Sequence, residues 1–135
     1  MKVLVVEPGT APYEKEVNGQ EEMKAIVGGP ISARYIPEEQ VSIVSNDDAI
    51  LTKEHFNRSL GRNDGIFGTF FICGDTAEDG FKSLSPEQLR FYKQRFYAPE
   101  VLLGSIKGEW AIVKVEPMRI QQKSKEKRAR RPKRR

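Results

Sequence analysis

His55 and Cys73 are the single histidine and the single cysteine of the chain, so acid–base or nucleophilic chemistry would have to pass through them or through carboxylates. His55 stands between Glu54 and Phe56 with no partner at a triad-like position, which favours a structural or surface histidine over a general base. Cys73 lies in the run Phe70-Phe71-Ile72-Cys73 with no basic neighbour to lower its pKa, and reads as a small apolar core residue. Asp75, Glu78 and Asp79 crowd one stretch, but their spacing is not that of a calcium loop, and a solvated acidic loop is the plainer account. No Cys/His cluster with zinc spacing exists. The expectation is a non-catalytic chain without metal or cofactor.

Two other groups of residues point to binding. Asn57-Arg58 places an amide beside a guanidinium in a stretch without clear periodicity, just before the aromatic run. With Thr69 they would suit the polar lining of a pocket for a nucleotide-like ligand, while a surface salt bridge explains Arg58 equally well. The stronger signal is the C-terminal segment. Lys123, Lys125, Lys127, Arg128, Arg130, Arg131, Lys133, Arg134 and Arg135 supply 9 of the 23 basic residues there, against Glu126 alone. Closely spaced cations of this kind neutralise phosphates and bind by releasing counterions, without reading sequence. No aromatic residue is interleaved for base stacking, and the same composition also suits an end that merely solubilises.

The formal charge of +4 therefore conceals a division. Residues 1–122 hold 14 basic and 18 acidic residues, a balance of −4, and residues 123–135 carry +8. A hydrophobic share of 38% in 135 residues is enough for one core, which sets a domain over residues 1–120 and a basic tail over 121–135 too poor in apolar residues to fold alone. The lone cysteine excludes an internal disulfide. No apolar run reaches the roughly 20 residues of a membrane span, and the N-terminal run is too short for a signal peptide. These features predict a soluble protein of a reducing cytoplasm.

The elements that must position these residues read as α+β. Val3-Leu4-Val5-Val6, closed by Glu7-Pro8-Gly9, predicts a strand buried on both faces. Asn18 as N-cap with Glu21 predicts a helix whose apolar face is Met23, Ile26 and Val27, ended by Gly28-Gly29. Alternation over Ile31–Tyr35 and Val41–Ile43 predicts two half-buried strands, and residues 52–60 remain open between helix and loop. Ile66–Cys73 predicts a central strand interrupted at Gly68 by a bulge or a close backbone approach. Leu84-Ser85-Pro86-Glu87-Gln88-Leu89 combines N-cap, proline at the first helical position, capping box and hydrophobic staple. The helix it starts presents Leu89, Tyr92 and Phe96 on one face. Val101–Leu103 and Trp110–Val115 suit a hairpin, its second strand joining the sheet at or near an edge. The fold expected is a mixed or antiparallel sheet of five to six strands with two helices.

Taken together in order, Met1-Lys2-Val3-Leu4-Val5-Val6-Glu7-Pro8-Gly9, Ala11-Pro12-Tyr13-Glu14-Lys15-Glu16, Ile26-Val27-Gly28-Gly29, Asn57-Arg58, Gly68–Gly74 and Leu84-Ser85-Pro86-Glu87-Gln88 resemble the family of domain of unknown function 3846 over residues 1–99. The resemblance implies a small accessory protein of phages and mobile elements, working in a bacterial host cell, and supplies no catalytic residues to transfer. Such proteins commonly act by binding, host defence machinery included. The expected partner is nucleic acid or a host nucleoprotein complex held through the basic tail, with an anti-defence role as one form of this. A small-ligand module built on Asn57 and Arg58 is the alternative.

Overall fold

The computed structural model describes residues 1–52 and 54–118. The unbroken apolar run near the N-terminus forms β1 (Lys2–Val6), and Val3 through Val6 have no solvent exposure. A turn at Gly9 leads to β2 (Tyr13–Glu16), whose four residues are all exposed at a sheet edge. Helix α1 (Gln20–Val27) follows. Its N-cap is Gly19, one residue after the expected Asn18, because the Glu22 carboxylate reaches back to the Asn18 N–H (2.7 Å) and Asn18 makes no side-chain cap. Gly28 ends the helix in the left-handed conformation (φ 84°), as its sequence position predicts.

Strands β3 (Ile31–Ile36) and β4 (Val41–Asn46) pair as a hairpin where two strands were expected, but neither is half-buried: β4 lies between β3 and the later strand Phe70–Thr76 and is buried on both faces, and β3, at the sheet edge, is exposed from Ser32 to Tyr35. The open stretch resolves into a second hairpin, β5 (Phe56–Gly61) and β6 (Asp64–Phe67). The expected continuous strand from Ile66 is two strands. Gly68, at φ 82°, turns a corner there, so β6 stays with β5 while β7 (Phe70–Thr76) enters the main sheet. The acidic stretch is shorter than expected, because Asp75 and Thr76 belong to β7 and the chain turns back at once as β8 (Gly80–Lys82).

Helix α2 (Pro86–Arg95) starts as predicted: Ser85 caps it, and Gln88 completes the capping box. The final hairpin, β9 (Glu100–Ile106) and β10 (Glu109–Lys114), is a separate two-stranded sheet. The expectation that β10 would extend the main sheet is corrected: β10 pairs with β9, and Trp110 seats it on Phe56 and Phe67 of the β5–β6 hairpin.

The result is α+β. The main sheet runs β2-β1-β7-β4-β3 with β8 beside β7, every pair antiparallel. The period-two alternation of β1 and β7 divides the core. Leu4, Val6, Phe70 and Ile72 meet Leu89, Tyr92 and Phe96 of α2 and its end, while Val3, Val5, Phe71 and Cys73 meet Met23 and Val27 of α1. Burying each of these large side chains contributes about 1.5–3 kcal/mol, so the central strands bind both layers together.

Candidate functional site

Asn57 and Arg58 sit at an irregularity in the β5–β6 ladder. Phe56 pairs with Phe67 and Arg58 with Ile66, so Asn57 is an extra residue on its strand. A bulge of this kind re-aims side chains, and here both Asn57 and Arg58 turn into the interior and lose all solvent exposure. The Asn57 amide nitrogen donates to the Val6 and Gly68 carbonyls, each at 2.8 Å. Its oxygen accepts from Arg58 Nη1 at 2.7 Å.

The guanidinium finds acceptors for all five of its N–H groups. Nε and Nη2 donate to the Phe96 carbonyl (3.1 and 2.8 Å), Nη2 also to the Thr10 carbonyl (2.6 Å), and Nη1 to the Asn57 carbonyl and amide oxygen (3.3 and 2.7 Å). No carboxylate is in this set. Glu100 is the opposite charge that acts on it, and its Oε1 accepts from the Ser59 N–H (2.8 Å). Burial pulls the guanidinium down to about 10, with Glu100 opposing, so Arg58 remains a cation at neutral pH. Phe96 is the C-cap of α2, where a cation also complements the helix dipole.

These two residues thus form an internal bracket joining the end of β1, the Thr10 turn, the Gly68 corner and the end of α2. The pocket expected at Asn57 and Arg58 is replaced by the protein's own carbonyls: a ligand could reach the guanidinium only by displacing Thr10 and Phe96. Thr69 is half-buried in the corner between β6 and β7 and takes no part in the bracket's hydrogen bonds. His55 is exposed, and its carbonyl accepts from the Gly68 N–H (2.7 Å). Cys73 is buried, and burial first, then Asp75, pushes its thiol up to about 12 despite a Ser42 backbone contact acting the other way. Asp75 is held by the Ser42 hydroxyl (2.6 Å), and Asp79 pairs with Lys82 (3.6 Å). Among the described residues no group of three side chains is arranged to hold a metal ion.

The hairpin β9–β10 supplies the surface that residue chemistry alone did not single out. Its inner face carries Leu102, Trp110 and Ile112, with Trp110 edge-on to Phe56 (5.9 Å) and Phe67 (6.4 Å) of the bulged hairpin. Val101 lies opposite Val113 on the outer face, Ile106 falls on that face as well, and Val115 just past β10 is exposed. Leu103 sits at the ladder irregularity and is 65% exposed, Ile106 66%. Period-two spacing of Val101 with Leu103 and Val113 with Val115 was the available signal, but it does not tell an outward face from an inward one.

The nine basic residues from Lys123 to Arg135 lie outside the described residues. The point from which they depart does not. The Met118 N–H donates to the Gly9 carbonyl (2.9 Å), and Met118 bridges in parallel to Thr10, whose carbonyl Arg58 holds.

These features define an α+β protein built on an antiparallel sheet between two helices, with an apolar hairpin and a basic segment appended. Residues 1–97 match the family model described as Domain of unknown function (DUF3846), and the chain belongs to that family. The match ends just after Phe96, so the hairpin and the basic segment lie beyond it. No curated protein and no solved structure matches the chain. No described helix is long and apolar enough to cross a membrane.

Proposed function

We propose that the protein is a non-catalytic binding protein that engages a nucleoprotein complex at two adjoining points. The basic segment contacts the phosphate backbone, and the outer face of β9–β10 meets the protein component. The observation that carries this reading is charge placement: +8 in the last 13 residues on a body of −4, beginning a few residues after Val115 on the apolar face and rooted at Gly9 by Met118. A patch of Val101, Leu103, Ile106, Val113 and Val115 exposed together is what a protein-binding surface requires. The family resemblance makes a phage or mobile-element origin, and a host defence complex as the partner, the form of this function to test first.

Electrophoretic shifts with duplex and single-stranded DNA and RNA over a salt series test the first point. The full chain should bind weakly and without sequence preference, with affinity falling steeply with salt, on a log–log slope of roughly −4 to −8 if five to nine phosphates are neutralised. Replacing the nine basic residues of 123–135 by glutamine should abolish binding. Absence of binding at low salt, or binding that survives that replacement, refutes the reading.

A further inference from the structure

We infer that the protein pairs with a second copy of itself through β3, extending the main sheet across a twofold axis centred on Ala33. This rests on the edge of the sheet and is independent of the nucleoprotein reading.

β3 is the last strand of the sheet, and Ser32, Ala33, Arg34 and Tyr35 are exposed along it. Its free backbone groups follow from the ladder with β4. The Asp47 N–H donates to the Pro30 carbonyl (2.8 Å), which makes Ile31 and Asn46 a non-hydrogen-bonded pair. Alternation then turns the N–H and C=O of Ser32, Arg34 and Ile36 towards β4, and those of Ile31, Ala33 and Tyr35 outward. Among the described residues these three donors and three acceptors have no partner, and on a strand of six residues they form a template for another strand.

The side chains select the partner and the register. Antiparallel pairing about a twofold axis keeps the two sheet faces aligned, so a residue meets one of its own parity. Centred on Ala33, Ala33 faces Ala33, Ile31 faces Tyr35 and Tyr35 faces Ile31. All three outward residues are then in hydrogen-bonded positions, giving six backbone bonds between the copies. Ser32 meets Arg34 on the other face, where Arg34 is already neutralised by Asp64 (2.7 Å). The register centred on Arg34 would oppose two guanidinium groups and make only four bonds. The far edge of the sheet shows what a guarded strand looks like: Tyr13-Glu14-Lys15-Glu16 puts Lys15 on Lys15 or Glu14 on Glu14 in its self-pairings. β3 carries no lysine, proline or bulge to prevent pairing.

Sedimentation of the full-length chain tests this. At tens of micromolar the wild type should run at twice the monomer mass. Ala33→Lys should run as a monomer with an unchanged circular dichroism spectrum, because its side chain is already exposed. An equimolar mixture of Ala33→Lys and Ala33→Glu should regain the dimer at low salt, since only this register brings residue 33 against itself. Ala33→Cys should form a disulfide-linked dimer on oxidation, with Cys73 buried and out of competition. A wild type that remains monomeric at 100 µM (an order-of-magnitude ceiling, about that of many weak self-associations), or a dimer that Ala33→Lys leaves intact, overturns the inference.

Discussion

Replacing Arg58 by methionine separates an internal bracket from a ligand-binding arginine. The change keeps much of the side chain's bulk and removes every donor, leaving the Thr10 and Phe96 carbonyls and the Asn57 amide oxygen buried without this partner. Each orphaned acceptor costs about 1–3 kcal/mol. Against this, removing the charge returns the desolvation cost that holds the guanidinium near 10, about 3 kcal/mol at the usual conversion. The acceptors outweigh the charge, and the net loss expected is about 3 kcal/mol. In urea denaturation followed by tryptophan fluorescence, that loss lowers the midpoint by roughly 2 M for a protein of this size. Arg58→Lys should also destabilise, since an ammonium has three donors on one atom and cannot span Thr10, Phe96 and Asn57 as the planar fork does. An exposed pocket arginine would behave differently, its loss changing stability by no more than about 0.5 kcal/mol. A midpoint for Arg58→Met equal to or above the wild type refutes the bracket.

Other expectations follow from single contacts. The buried Cys73 thiol keeps its proton in the folded state up to about 12, whereas the unfolded chain releases it near the ordinary value of 9.0. Between those values the folded state binds more protons, so the contribution is present below pH 9 and is lost as pH rises. Relative to Cys73→Ala, the wild type should lose about 1.4 kcal/mol between pH 8 and pH 10, and a gap that stays constant contradicts the burial argument. The same burial predicts that Ellman's reagent labels Cys73 at the rate of unfolding; immediate labelling of the native protein would show an accessible thiol. Ser85→Ala removes the cap on Gln88 N–H (3.1 Å) and should cost about 1 kcal/mol, read as a lower melting temperature with unchanged helix content.

Much of this fold was legible because its signals are local. The capping box at Ser85, the glycine after α1 and the existence of β3 and β4 each depend on residues a few positions apart, whereas the burial of β4 on both faces depends on its place between β7 and β3. What the sequence concealed depends on contacts far along the chain. Arg58 reads as a surface cation in any local window, and only the bulge at Asn57 and the distant carbonyls of Thr10 and Phe96 make its burial tolerable. Gly68 marked a break, but whether it bulged one strand or separated two depended on where Phe67 and Phe70 found their partners. β10 has the alternation of any half-buried strand, and the contacts of Trp110 with the distant Phe56 and Phe67 decided its separate place. The basic segment was legible by composition alone, and its root at Gly9 was not.

That contact gives the hairpin and Met118 a defined geometry. The hairpin opens after Pro99, just past the family match, and closes at Val115, whose N–H donates to the Pro99 carbonyl (2.9 Å), so it is an excursion closed at its base. It is seated on β5–β6 by several contacts. Asn63 accepts from the Trp110 N–H (2.9 Å) and donates to the Gly108 carbonyl (3.2 Å), Arg62 pairs with Glu109, and Trp110 packs on Phe56 and Phe67. Three residues after Val115, Met118 is fixed to Gly9, beside the Thr10 carbonyl that Arg58 holds. The buried bracket therefore fixes the seat of the apolar face and the position of Met118 relative to each other. On the two-point binding proposed above, two weak contacts held at a set spacing on one partner would act at high effective concentration, so modest apolar and electrostatic contacts would suffice together where neither would alone.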